Sequence, residues 1–391
     1  MSEVFEKAVA ELNLDRSDWQ LVKFGDVAIQ QKQSVDRENT ELTKYVKGEH
    51  MYSEDIHLRE WGELKDEYLG PAFIRKFEQG DILYGSRRTY LRKVVIAPFE
   101  GITSNTTFVI KANEERIDKR LLPFLMLSEG FSQHSIKNSK GSVNPYVNWK
   151  DLSNYEFLLP PLEKQTDIVQ LFCKIDLLKE SEQQSHERLK ELKFAYQRQY
   201  FDITNHNYVS LEEAAKIYSG GTPSRKNNDY WGGDIPWVKT GEVNYAQITA
   251  TEESITDLGL NKSAAKLIPT NSVLVAMYGQ GVTRGRVALT GVPVSCNQAC
   301  GVIEPYSTYL PEYIYYYLEY KYEELRALAH GANQQNLNLK MIKEFQLPDF
   351  DEITQKELVN HIREVTLTGT LYSERKEANA ILIKAIISKV F

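Results

Sequence analysis

Four cations, Arg87, Arg88, Arg92 and Lys93, lie within seven residues of one another, interleaved with Tyr84 and Tyr90. Basic side chains neutralise phosphates, and a guanidinium pairs bidentately with the edge of guanine. The pattern suits a nucleic-acid surface, with Lys140 placed alongside. A solvated face holding a few salt bridges is the competing reading, and charge alone leaves both open. A second set follows. Gly220-Gly221-Thr222-Pro223-Ser224-Arg225-Lys226 reads as a flexible loop whose hydroxyls and cations suit phosphate contact, with Lys239 beyond it. Gln280, Arg284 and Arg286 sit on a glycine-rich stretch equivalent to 87–93. The amides of Asn105 and Gln298 are of the type that bonds adenine, although Asn105 and Asn297 suit turns better. Gln334 belongs to a Gln and Asn cluster at 333–336 that reads as exposed-loop material. Trp231 and Trp237 read as core and loop anchors rather than a stacking platform.

Catalytic constellations are missing. There is no Gly-x-x-x-x-Gly-Lys-Ser/Thr loop, no Gly-x-Gly-x-x-Gly, no Gly-x-Ser-x-Gly and no His-Glu-x-x-His. Gly279-Gln280-Gly281 is a lone Gly-x-Gly with flanks suited to a turn. Asn144-Pro145-Tyr146 is close to the Asn-Pro-Pro-Tyr of amino-methyltransferases but lacks the second proline and an upstream glycine-rich strand. Three cysteines, at 173, 296 and 300, are too few for a disulfide framework and fit a reducing compartment. With seven scattered histidines, Cys296 and Cys300 read as apolar packing residues rather than a zinc site. No metal or catalytic residue is assigned; the chain reads as a reader rather than an enzyme.

Such residues need elements to hold them. The 391 residues suggest two or three domains, and 42% hydrophobic content rules out a disordered chain. No apolar stretch reaches 18 residues, and the acidic segment Met1 to Asp18 is not of signal-peptide type, so a soluble, cytoplasmic protein is expected. The net charge of −7 argues at first against nucleic acid. Divided by region, it does not: residues 71–150 hold 13 basic and 7 acidic side chains, net +6, behind an N-terminal 1–70 of net −7.

The chain also repeats itself. Leu83 pairs with Leu274 at an offset of 191, Asn105 with Asn297 at 192, and Gly141, Asn148 and Gln165 with Gly331, Asn338 and Gln355 at 190. Each copy opens with short β-type runs punctuated by Gly, Pro, Asn and Asp, with short helices expected around 119–128 and 311–328. After Leu158-Leu159-Pro160-Pro161, or Leu347-Pro348, each continues as a long helix. Ile168, Ile175, Leu189 and Tyr196 hold one heptad position of the first, and Leu171, Leu178 and Leu192 another; Glu182 and Ser185 interrupt the seam. The second carries Leu358, Val365, Tyr372 and Ile386, with Asn379 between, and the Thr-rich stretch around Gly369 marks an expected kink. About 38 residues span about 57 Å as helix, and two such helices are expected to pair as a coiled coil.

These residues resemble a known family. Gly220-Gly221-Thr222-Pro223-Ser224, followed by Tyr230-Trp231-Gly232-Gly233-Asp234-Ile235-Pro236-Trp237, is similar to the opening of a target recognition domain in type I restriction-modification specificity subunits. Tyr84-Gly85-Ser86-Arg87-Arg88 and Ser104-Asn105-Thr106-Thr107-Phe108-Val109 resemble another subclass of that domain. Leu159-Pro160-Pro161-Leu162 with Gln165 resembles the start of the family's spacer helix, echoed at 347–355, where Asp349 replaces the second proline.

The resemblance implies an α+β fold: two β-rich target recognition domains joined by two long antiparallel coiled-coil helices in a pseudo-twofold repeat. Domain 1 would span 1–160, spacer helix 1 161–204, domain 2 205–350 and spacer helix 2 351–391. It further implies a non-catalytic DNA-recognition subunit that reads a bipartite, asymmetric site in double-stranded DNA, one domain per half-site, with helix length setting the unspecified spacer. Two methyltransferase subunits and the restriction/translocase subunits would be its partners, with no membrane role. S-adenosylmethionine, ATP and Mg would bind those partners and no cofactor this chain. The rival readings are the specificity region of a fused restriction-methylation enzyme and a coiled-coil scaffold without DNA specificity.

Overall fold

Runs such as Ile82-Leu83-Tyr84 and Val273-Leu274-Val275 are apolar at every position, as strands in the middle of a covered sheet must be, and all six residues are buried. In the computed structural model, which describes residues 15–36, 39–66, 68–202, 206–279, 281–329 and 336–391, these two strands lie at the centre of equivalent sheets. The chain forms two compact units, residues 1–184 with 373–391, and residues 185–372. The boundaries cut both long helices, so each unit takes part of each helix.

In the first unit, β1 (Gln20–Lys23) pairs antiparallel with β10 (Glu156–Leu159). A four-stranded sheet runs β2 (Ala28–Gln31), β9 (Thr107–Ala112), β6 (Ile82–Gly85), β7 (Val94–Ile96). A second runs β4 (Gly62–Glu63), β3 (Lys44–Val46), β8 (Gly101–Ser104), β5 (Phe73–Phe77). The second unit repeats the plan. β11 (Tyr208–Ser210) pairs with β20 (Gln346–Pro348). β12 (Ala215–Ser219), β19 (Cys300–Pro305), β16 (Val273–Ala276), β17 (Val287–Thr290) and β14 (Gln247–Ile248) form one sheet. β15 (Glu253–Ile255), β13 (Trp231–Val238) and β18 (Ser295–Cys296) form the other. The repeat legible in residue offsets is thus a repeat of sheet order. Short helices fall at Leu122–Leu127, Pro311–Tyr320 and Tyr322–Ala327.

Prolines 160 and 161 end β10, and the first long helix begins at once, Leu162–Phe201; the second is Glu352–Val390. A buried glutamine in the first turn of each ties it to its own unit. Gln165 accepts from the Asp118 N–H (2.7 Å) and donates to the carbonyls of Arg116 (3.0 Å) and Pro160 (2.9 Å). Gln355 accepts from the Leu310 N–H (2.8 Å) and donates to those of Thr308 (3.0 Å) and Phe350 (2.9 Å).

Within the first unit the helices pack antiparallel: Ile168, Val169, Phe172 and Ile175 share a core with Ile386, Ile387 and Val390, while Glu182 meets Asn379 and Gln183 meets Lys376. Glu182 is 7% exposed and also lies 3.4 Å from Arg375. A buried polar layer of this kind specifies register at some cost in stability. Within the second unit Tyr196 stacks on His361 (4.8 Å between rings), and Phe201 packs with Leu358, Val359 and Ile362.

One expectation needs correction. Leu192 is 43% exposed and Leu171 and Leu178 only half-buried. A helix of 3.6 residues per turn drifts off a 3.5-residue repeat, and Val169, Phe172 and Gln197 occupy the buried stripe instead. The second helix is continuous through Gly369, where Thr366, Thr368 and Thr370 donate their hydroxyls to carbonyls four residues back.

A strap at 54–59 fastens the first unit's sheet region to both helices. Glu54 pairs with Lys384 (2.8 Å), His57 Nε2 lies 3.0 Å from Asp176, and Arg59 bonds Glu180. The hydrogen bond to Asp176 raises the His57 pKa against the opposing effect of burial, and Glu180 adds to the rise.

Two predictions follow from these contacts. Gln165→Leu and Gln355→Leu each strand a backbone N–H and two carbonyls, so each should destabilise the protein by about 2 kcal/mol in denaturant unfolding; a loss at only one site would show the clamps to be unequal. Because His57 is raised, its contribution is complete below the unfolded pKa of about 6.5 and is lost as pH rises through the folded value. An NMR titration should place His57 above 6.5 and return it toward that value in Asp176→Asn.

Candidate nucleic-acid interface

The stretch from β6 to β7, residues 86–93, is held by backbone bonds on two sides. Gly85 N–H donates to Lys93 O (3.0 Å), Arg88 N–H to Pro145 O (2.7 Å) and Val147 N–H to Ser86 O (2.9 Å). Arg88 and Arg92, at φ 50° and 47°, flank a single 3-10 turn, Thr89–Leu91. This places Arg87 and Arg88 outward; both are exposed, and neither makes a side-chain hydrogen bond or ion pair with the described residues. Tyr90 is exposed beside them.

Arg92 points the other way. It bonds Glu129 and lies 3.4 Å from Glu54, so it braces the loop against the unit. Lys93 donates to the Gly48 carbonyl, and burial together with the nearby Arg88 lowers its pKa. Lys140 pairs with Asp151 at 3.3 Å. Beneath Arg87 opens a cleft of about 220 Å³ lined by Ser86, Asn105, Thr106, Phe108, Tyr146 and Trp149.

The second unit carries a loop in the same place. Ala276 N–H donates to Arg286 O (2.9 Å), and Leu337 N–H to Met277 O (3.0 Å), matching the bonds at Gly85 and Val147. Arg286 bonds Asn244 Oδ1 (2.7 Å) and lies over Tyr245 (5.8 Å). Arg284 is half-buried. Tyr322 donates to Val282 O (2.6 Å), and Arg326 reaches Gly281 O. Gln280 and Gln334 lie outside the described residues.

The glycine-rich stretch at 220–226 serves another purpose than flexibility. A Cβ on Gly220 would lie 2.3 Å from Cys296 O, and one on Gly221 2.3 Å from Ala264 C, so the pair permits close packing. Arg225 is fixed: it lies over Trp231 (3.6 Å) and Trp237 (4.9 Å) and makes a bidentate pair with Glu253 (2.6 and 2.9 Å). That bond, helped by Lys239, holds the Glu253 pKa down to about 2. Lys239 is taken up by Glu252 (2.7 Å) and Glu253 (3.4 Å). Both indoles are anchors, Trp231 donating to Ser224 O (3.2 Å) and Trp237 to Gly221 O (3.1 Å). Thr222 donates to the Gln298 amide oxygen. Ser224 and Lys226 remain exposed. Asn297 makes a turn, accepting from Ala299 N–H (3.1 Å).

The candidate cations therefore divide. Arg92, Arg225 and Lys239 hold the fold, and Arg87, Arg88 and Lys226 face outward. Tyr146, Trp149 and Arg326 are additional residues at these places that charge clustering did not single out. Tyr146 stood in a motif weighed for catalysis, whereas its backbone pairs with Lys140 and Arg87. Cys296 and Cys300 are buried in an apolar cluster, and the bond from Cys296, with burial, raises the Cys300 pKa. Asp55, His57 and Glu180 bring ligand-type atoms within 4.8 Å, but the Arg59 guanidinium already bridges the two carboxylates. Among the described residues, no helix is long and apolar enough to cross a membrane.

Comparison with known proteins shows what the chain is similar to. The family described as type I restriction modification DNA specificity domain matches twice, over residues 16–191 and 204–377. The HindI specificity subunit of Haemophilus influenzae is 30% identical over 176 residues, 42% of this chain and 37% of that one. The MjaIX specificity subunit of Methanocaldococcus jannaschii is 26% identical over 179 residues, 44% and 40% of the two chains. These matches span less than half of each relative. The MjaVIII specificity subunit of the same organism aligns at 22% identity over 93% of this chain and 89% of its own. In fold, the chain is similar to the type I restriction-modification S subunit from M. genitalium, with a TM-score of 0.60 at 12% identity, covering 97% and 98%.

The assignment of Arg225 as a brace has a pH signature. Arg225→Met should destabilise the protein by about 1 kcal/mol at neutral pH. Since the Glu253 pKa is depressed, the ion-pair part of that difference is present above about pH 4.5 and is lost as pH falls through about 2. Denaturant unfolding of both proteins at pH 7 and pH 3 checks this; an equal difference at both would contradict it.

Proposed function

This chain belongs to the type I restriction modification DNA specificity family, whose domain it carries twice, and from that premise we propose that it reads double-stranded DNA at a bipartite site, one unit per half-site. The observation that carries the proposal is Arg87 with Arg88, exposed and without side-chain partners among the described residues, on a loop whose counterpart in the second unit is held by the same backbone bonds. Two guanidiniums on a braced loop suit guanine edges or phosphates, and the two loops differ in side chains, so the two half-sites differ in sequence.

In this reading the chain performs no bond-breaking step. Methyltransferase subunits, two of them, dock on it and bind S-adenosylmethionine; restriction and translocase subunits join with ATP and Mg. The long helices, each shared between the units, set the spacer between half-sites.

Mapping methylated adenines in a host with and without the gene reveals the site. Arg87→Ala should weaken discrimination at one position of one half-site by about 1–3 kcal/mol while the other half-site remains required. Equal weakening on all sequences would make Arg87 a phosphate contact. Binding of the assembled complex should also fall steeply with salt; the absence of any site-selective binding would favour the scaffold reading.

A further inference from the structure

Residues 140–146 form a seven-residue hairpin loop closed by one isolated antiparallel bridge, Lys140 to Tyr146. Its arms are closed by Lys140 N–H to Tyr146 O (2.8 Å) and Tyr146 N–H to Lys140 O (2.9 Å), and Gly141 takes the left-handed φ of 96° that the turn requires. The hairpin is fastened to the outward arginines: Arg88 N–H donates to Pro145 O, and Tyr146 pairs with Arg87 through the backbone. At its tip Ser142, Val143 and Asn144 are exposed, and Val143 is 89% exposed.

A single exposed valine is ordinarily unremarked. This one differs in its setting. It is β-branched and therefore stiff at χ1, and it stands on a loop whose end, at Pro145 and Tyr146, is bonded through the backbone to Arg88 and Arg87, whose side chains have no partner among the described residues. The major groove of B-DNA is wide enough for an α-helix or a two-stranded β-ribbon, and so for the tip of a narrower hairpin loop, and the one apolar group displayed there is the thymine C5-methyl.

We propose that the 140–146 hairpin enters the major groove of the half-site read by the first unit and that Val143 packs against the C5-methyl of a thymine. This rests on the DNA-reading function proposed above. Arg87 and Arg88 position the loop from its base, and Val143 supplies an apolar element of specificity that cations alone lack.

The test uses the full chain assembled with its methyltransferase subunits and duplexes carrying the mapped site, in which each thymine of that half-site is replaced in turn by deoxyuridine. At one position the wild-type complex should bind the deoxyuridine duplex about three- to fivefold more weakly, the worth of one methyl group. Val143→Ser should bind both duplexes alike, at the weaker level, with its thermal unfolding unchanged. Deoxyuridine sensitivity that persists in Val143→Ser, or none at any thymine, overturns the assignment. So does unstacking reported by 2-aminopurine on binding, which would mark a wedge inserted between bases. Failure of the complex to bind the unmodified site at all would instead refute DNA reading itself.

Discussion

Everything in each unit depends on how a long helix is fastened to the β-rich part it follows. An apolar stripe alone would let the helix slide or rotate, because burial is non-directional. Gln165 and Gln355 remove that freedom. Each is fully buried, each places one amide against a backbone N–H and two carbonyls, and each draws those partners from the turn before a short helix and from the residues that end the preceding strand. The penalty for leaving such groups unpaired in low dielectric makes the contact specific in distance and angle.

On that footing the surface proposed to read DNA is built by division of labour among like residues. Arg92 and Arg225 are spent on carboxylates and aromatic faces, which fixes the loops, and Arg87 and Arg88 are left to face solvent on a loop that can no longer move freely. Preorganisation of this kind lowers the entropy lost when a partner is bound. An acidic chain can carry such a surface because its charge is unevenly distributed: residues 71–150 hold 13 basic and 7 acidic side chains, net +6, within a total of −7.

Much of this was legible in the sequence. Offsets of 190 to 192 between like residues reappear as matching strand orders, and the polar break at Glu182 in the helical seam reappears as a buried layer with Asn379. The paired glutamines were visible as a repeat, although their role was not, since the partners are backbone groups that carry no sequence signature. Charge clustering singled out the 87–93 loop but could not separate the outward Arg87 from the bracing Arg92. That separation depends on two left-handed residues and on Glu129, which is 37 residues away. Gly220-Gly221 was read as flexibility because glycine permits both loose loops and close packing, and only the neighbour at Cys296 decides between them.

The central claim is that each copy of the repeat is a self-contained reader. Its most direct measurement replaces residues 208–348 with residues 20–159, so that both long helices carry the first unit's domain, and maps methylated adenines in a host expressing the partner subunits. The account predicts that both half-sites then carry one and the same word. Retention of the original second half-site would contradict it.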